Sequence, residues 1–183
     1  MQISAQKVRF SSTDIKRIYL EAFPKSERMP FFLMAAMSKL WNTQFLGFYD
    51  GDDPCGLIYL ASNRKMVFVM FLAVDKRLRT KGYGSAILQQ VKEMYPHKKI
   101  LVSIEPCDDF AADLTLRKRR KAFYIQNGYR ETGFRLKLNG IEQEILILNG
   151  EFVKKEFRSF FLFYSAGSIY PKIWEQKQSK MPS

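Results

Sequence analysis

A chain of 183 residues, 46% hydrophobic and 15% aromatic, is too apolar to stay disordered and long enough to bury one sizeable core. Its 30 lysines and arginines against 18 aspartates and glutamates give a formal charge of +12, which suits a polyanionic ligand or partner. Cys55 and Cys107 lack CxxC spacing and His97 is the single histidine, so neither a disulfide framework nor a zinc site is supported, a metal site built from histidines is excluded, and a histidine-dependent hydrolase has little to work with.

No run approaches the roughly 20 apolar residues of a membrane span, and the start, MQISAQKVRF, lacks the apolar segment of a signal peptide. The expectation is a cytoplasmic protein with two free thiols and no membrane partner.

Ser11 with Asp14 forms a capping-box pattern, and Ile15, Ile18, Tyr19 and Ala22 recur at helical spacing, which predicts a helix over residues 13–23 closed by Pro24. A second, largely buried helix is expected over 31–41, entered through Pro30. Three β-like runs follow at 43–49, 56–61 and 66–74, separated by turn-forming stretches, and a meander is the simplest arrangement. The third, MVFVMFLAV, is nearly continuously apolar, as a strand covered on both faces requires.

After Gly84, the residues Ile87, Leu88, Val91 and Tyr95 predict a helix to about Met94, ended by Pro96. A short strand over 100–104 comes next, then a helix capped by Asp113 or Thr115 and stopped at Asn127-Gly128. Strands over 129–137 and 141–148 are joined at Asn139-Gly140, a hairpin signal. Val153, Phe157, Phe160, Phe161 and Tyr164 share one helical face, so residues 151–183 read as an aromatic extension docked on the domain or on a partner subunit, with residues 178–183 frayed.

Residues 71–135 carry 14 basic and 7 acidic side chains, with clusters at Lys76, Arg77, Arg79, Lys81 and at Arg117, Lys118, Arg119, Arg120, Lys121. The first cluster lies in VDKRLRTKGYGSA, between an apolar strand and a helix. Gly82 and Gly84 let backbone N–H groups approach a ligand, and the helix start adds a positive dipole end, which together make an anion cradle. No GK[ST] follows, so it is not a Walker A loop, and Ala86 and Ile87 leave no third glycine for a dinucleotide fingerprint.

RTKGYG at residues 79–84 resembles the Q/R-x-x-G-x-G/A acetyl-CoA loop of the GNAT superfamily of N-acetyltransferases, and RRKAFYIQNGY at 119–129 resembles that family's later FY element. The element order is similar over roughly residues 5–150. The resemblance implies an α/β (α+β) GNAT fold: a mixed, mostly antiparallel sheet of about seven strands flanked by helices in a domain spanning residues 1–150, with a C-terminal helical extension.

The resemblance also implies site roles. The backbone of Leu72, Ala73 and Val74 would bind the pantetheine arm of coenzyme A like an added strand. The amides of Arg79, Thr80, Lys81, Gly82, Tyr83 and Gly84, with Ser85, would meet the pyrophosphate, and any of Lys76, Arg77, Lys81, Arg117, Lys118, Arg120 or Lys121 could reach the 3′-phosphate. Many members carry an asparagine seven residues before the FY tyrosine; Arg117 stands there, so no specific cofactor role passes to it. Tyr124 matches the tyrosine that protonates the departing thiolate. Some members place a glutamate base on the strand before the loop, but residues 68–74 contain no acid. Glu105 is then the foremost replacement, Asp108, Asp109 and Glu27 follow, and attack by the free amine without a base stays open. Glu27, Phe31 and Phe32 could line an acceptor pocket.

The expected function is acetyl-CoA-dependent N-acetylation of a primary amine, on a small molecule or a peptide, by direct attack in a ternary complex. Two alternatives remain: a non-catalytic acyl-CoA-binding sensor, and an RNA-directed protein, such as an aminoacyl-tRNA acetyltransferase, suggested by the basic stripe. A homodimer through the aromatic extension is a further expectation.

Overall fold

The computed structural model describes residues 2–39, 42–138, 140–165, 167 and 170–176. Among them are eight strands and five α-helices, a mixed α/β fold in which the paired strands with assigned registers run antiparallel. The chain forms two compact units, residues 1–100 and 101–183.

The first unit holds β1 (Ser4–Lys7), α1 (Thr13–Ala22), α2 (Phe31–Met37), β2 (Thr43–Asp50), β3 (Asp53–Ser62), β4 (Met66–Val74) and α3 (Tyr83–Met94). Its strands pair in the order β1-β2-β3-β4, so the expected meander is present. Local chemistry closes each hairpin. Gly51 takes φ +61° where Asp50 pairs with Asp53, and the Asn63 side-chain oxygen accepts from the amides of Lys65 (2.9 Å) and Met66 (2.9 Å) in an Asx turn.

Helix α1 buries Ile15, Ile18 and Tyr19, and α2 buries Phe31, Met34 and Ala35, against Phe45, Leu57, Tyr59 and Ala73. Tyr19 stays satisfied in this core because its hydroxyl donates to the Met29 carbonyl (3.0 Å) and accepts from the Met29 amide (2.9 Å). Two glycines mark opposite faces of the ladder: a Cβ on Gly47 would meet Ile15 of α1 at 2.8 Å, and one on Gly56 would meet Ile87 of α3 at 2.7 Å and the Ala73 carbonyl at 2.6 Å. Helix α3 therefore packs on the face away from α1. In the β3–β4 ladder Tyr59 faces Phe71 and Leu60 faces Val69, which leaves Met70 as an extra residue that bends β4.

Two expectations are corrected here. Ser12, not Ser11, precedes α1, and its hydroxyl accepts from the Arg9 amide (3.0 Å) rather than capping the helix, because the chain entering from β1 already turns there. Helix α2 ends at Met37, with the Ser38 amide bonded back to Met34, so it is shorter than the apolar run suggested. Trp41, expected at its end, lies outside the described residues.

The second unit holds β5 (Lys99–Ile104, which begins just before it), α4 (Leu114–Gln126), β6 (Arg130–Leu138), β7 (Ile141–Leu148), α5 (Lys154–Tyr164) and β8 (Lys172–Glu175). The strands follow the order β5-β7-β6-β8. Thr132 and Gly133 (φ +74°) lie in an irregularity of β6, where the Thr132 hydroxyl donates to the Ile145 carbonyl (2.8 Å) and accepts from the Phe134 amide (3.1 Å). Helix α4 ends as its Asn-Gly signal predicts: Gly128 takes φ +87°, and the Tyr129 amide returns to the Tyr124 carbonyl (3.1 Å). Asp113 does precede α4, but its carboxylate turns to Arg117 (2.6 Å) instead of capping an amide.

The expected aromatic helix is α5, whose Phe157, Phe160 and Phe161 are buried. Phe152 links them to the sheet, 5.4 Å from Phe157 and 4.9 Å from Phe134 between ring centres. β8 is the eighth strand against the expected seven: it adds to β6, pairing Phe134 with Glu175 and Lys137 with Lys172. Its four residues, KIWE, are too few for periodicity to announce them. Asn139 of the hairpin signal and the frayed end at 178–183 lie outside the described residues.

Candidate functional site

The anion cradle is built from backbone. β4 ends at Val74, the next residue is Asp75, a single 3-10 turn covers Lys76–Leu78, and α3 begins at Tyr83. Between them Thr80 takes φ +66° and Gly82 φ +88°. A β-branched residue in the left-handed region is strained, and such strain gathers at ligand clamps. Gly82 precedes the helix without a side chain to cap it, so the leading amides of α3 lack an intrahelical acceptor and face outward from the positive dipole end.

Asp75 holds this loop in place. It is 1% exposed, its amide donates to the Cys55 carbonyl (2.9 Å), and its carboxylate accepts from the Arg77 amide (2.9 Å), Arg77 Nε (3.0 Å) and Arg17 Nη2 of α1 (2.7 Å). The Arg77 bond, with that of Arg17, outweighs burial and keeps the carboxyl well below the usual carboxylate range. Tyr83 is tied at the other end, donating to Asp50 at the β2–β3 turn (2.7 Å). Lys76 pairs with Glu21 of α1 (3.4 Å). Arg79 and Lys81 are exposed and enter no ion pair among the described residues. Left-handed turns, leading helix amides and two uncompensated cations fit a polyphosphate ligand.

Of the residues assigned to the pantetheine arm, Leu72, Ala73 and Val74 sit on β4 opposite Ile58, Leu57 and Gly56, with Ala73 buried and its neighbours half-buried.

In the second unit, Glu105, just past β5, meets Arg120 of α4, and Tyr124 lies one turn further along that helix. Glu105 forms an ion pair with Arg120 Nη1. Tyr124 is the buried residue of α4, its ring 5.1 Å from Phe123 and 5.4 Å from Tyr129. Burial pushes its phenol up to about 12, against the pull of Arg120, so the group is protonated at neutral pH.

Most of the basic stripe on α4 is neutralised internally. Arg117 pairs with Asp113 (2.6 Å), Arg120 with Glu105, and Lys121 with Glu131 (2.9 Å) and the buried Glu144 (2.9 Å). Of the other candidate bases, Asp108 holds Arg135 (2.7 Å), Asp109 is exposed, and Glu27 belongs to a 3-10 turn of the first unit. Burial raises the Cys55 thiol to about 11 and also raises Cys107, so neither is an activated nucleophile. His97 is exposed in a turn.

Phe31 and Phe32 do line a cavity, of about 460 Å³, with Phe10, Lys16, Tyr19, Lys25, Arg28 and others; Glu27 is not part of its wall. Sequence reading missed Asp75, Arg17 and the Asp50–Tyr83 tie. A lone acid straight after an apolar strand, two residues before an arginine, was the available signal for Asp75; nothing local marks Arg17 or Asp50, whose partners lie 58 and 33 residues away.

Comparisons with known proteins bear on the fold and the family. Among curated protein sequences none matches the chain. A GNAT-family protein from Bacteroides thetaiotaomicron superposes with a TM-score of 0.66 at 19% identity, covering 85% of this chain and 92% of that one. Arabidopsis thaliana Naa50, solved with the bisubstrate analogue CoA-Ac-MVNAL, gives 0.61 at 18% identity over 82% of this chain and 100% of its own. The PaiA N-acetyltransferase of Thermoplasma acidophilum, solved with coenzyme A, gives 0.56 at 13% identity, covering 80% and 98%. The family model described as acetyltransferase (GNAT) family matches residues 12–118. With that match over more than half its length, the chain belongs to the GNAT family of acetyltransferases.

Proposed function

We propose that this protein transfers an acetyl group from acetyl-CoA to a primary amine of a small molecule or peptide, by direct attack with both substrates bound. The observation that carries the reading is the loop at residues 79–85, where Thr80 and Gly82 adopt left-handed backbone beside a helix start and Arg79 and Lys81 stay uncompensated.

Acetyl-CoA, when bound, supplies the activated thioester; the protein supplies position and protons. The amides of residues 79–84, with Ser85, hold the pyrophosphate, and the backbone of Leu72, Ala73 and Val74 bonds the pantetheine arm regardless of side chain. Tyr124 keeps its proton and gives it to the leaving sulfur. Glu105 accepts the proton of the amine. Its ion pair with Arg120 orients it, so Arg120 is a positioning residue.

A second reading, an acyl-CoA-binding module without turnover, is favoured by the same ion pair, which occupies the Glu105 carboxylate. Calorimetric titration with acetyl-CoA, followed by thiol release across polyamines, amino acids and short peptides, separates the two. Binding with turnover supports the enzyme; binding without turnover on every amine supports the sensor; no binding removes both.

A further inference from the structure

The cavity beside α1 and α2 has a composition that acetyl-CoA binding does not use. Its wall carries aromatic and aliphatic side chains, Phe10, Tyr19, Leu20, Met29 and Phe32 among them, and three cations, Lys16, Lys25 and Arg28. No acid lines it. Residues 8–39 contain three acids in all. Asp14 accepts from the Tyr49 hydroxyl (2.9 Å), Glu21 is engaged by Arg17 and Lys76, and Glu27 stands off the wall. Arg28 is anchored through two donors to the Phe23 and Leu20 carbonyls, both at 2.6 Å, at the end of α1. Lys16 and Lys25 are exposed and enter no ion pair among the described residues. The rim continues onto Phe10, over whose ring Lys39 Nζ sits at 5.1 Å.

The apolar side chains are presented, not packed away: Phe32 is 65% exposed and Phe10 54%. A soluble surface that keeps two phenylalanines in water amid unpaired cations is complementary to a partner with anionic groups around an apolar anchor. The concavity takes an inserted side chain, which favours a polypeptide over a flat lipid surface.

We propose that this groove binds an acidic polypeptide segment carrying an aromatic or aliphatic anchor. The anchor enters between Phe10 and Phe32, and carboxylates on either side meet Lys16, Lys25 and Arg28. This deepens the acetyl-transfer reading by giving the acceptor an acidic, apolar stretch, and it rests on that reading for turnover but not for binding.

The test uses the full chain and fluorescently labelled peptides of about ten residues: one of aspartate and glutamate with phenylalanine and leucine anchors, one with serine for the anchors, and one with lysine for the acids. Anisotropy should show binding of the first alone, steeply weakened by salt. Lys16→Glu with Lys25→Glu should weaken it about 10-fold or more. Phe32→Ala should weaken it while leaving the salt dependence unchanged. All three side chains are exposed, so thermal melting should be unaltered. Equal binding of the lysine peptide, absence of binding, or sedimentation with vesicles of about 30% phosphatidylserine in preference to peptide binding each overturns the proposal. Acetyl-CoA titration of the same preparation keeps the two readings apart: peptide binding without acetyl-CoA binding upholds the groove and removes the transferase reading, whereas acetyl-CoA binding without peptide binding overturns the groove alone.

Discussion

The segment at residues 75–85 and the helix α4 carry two basic clusters of the chain, and they use them in opposite ways. In the first segment Arg77, with Arg17 of α1, clamps Asp75, which fixes the backbone, while Arg79 and Lys81 are exposed and enter no ion pair among the described residues. On α4, Arg117, Arg120 and Lys121 are each held by carboxylates of their own unit. Two runs of basic residues thus leave unpaired cations in one place and a set of internal ion pairs in the other, among the described residues. Glu144 is buried, so its bond with Lys121 ties α4 to β7 more firmly than a surface ion pair would.

The sharpest break of this contrast is Gly82→Asp, which puts a side chain on a φ +88° residue and a negative charge in the cradle. Acetyl-CoA affinity in calorimetry should fall beyond detection, about 100-fold or more. Next comes Tyr124→Phe: kcat in thiol release should fall about 100-fold, with acetyl-CoA affinity retained. Because the phenol titrates near 12, no alkaline limb of kcat from this group should appear below about pH 11.

Asp75→Asn should cost about 1–3 kcal/mol in urea unfolding, since a buried carboxylate's bonds to two arginines are weakened. The sign with pH is set by the depressed folded value: the contribution is full at neutral pH and is lost as pH falls below about 4. The gap between wild type and variant should therefore narrow as pH falls. Smallest is Arg119→Ala on the exposed side of α4, expected within about 0.5 kcal/mol of wild type and without effect on acetyl-CoA affinity. A large effect there would restore the stripe as a ligand surface.

Much of this could be read along the chain. β4 matches its expected residues to the end, as does β7, because an uninterrupted apolar run and a hairpin signal state their own limits. The loop was legible because glycine spacing and the following helix are local. The capping patterns at Ser11 and Asp113 misled because a polar side chain takes whichever partner the fold presents: Ser12, not Ser11, precedes the first helix and its hydroxyl takes the Arg9 amide, while the Asp113 carboxylate takes Arg117. Glu105 was legible as an acid at a strand end, but its guanidinium partner, fifteen residues on, was not.

The sequence by itself determined the order of the elements from α1 to α5, the glycine turn at residues 82–84 and the helical placement of Tyr124, since these follow from short-range periodicity and residue type, and the motifs at 79–84 and 119–129 carried the GNAT resemblance. Tertiary structure decided which cations are available. It paired Asp75 with Arg17 across 58 residues, attached β8 to β6, and left Phe10 and Phe32 exposed beside lysines that enter no ion pair among the described residues. The physical reason is range: a hydrogen-bonded turn is chosen by its neighbours, whereas a charge is compensated by whatever the folded chain sets within a few ångströms of it.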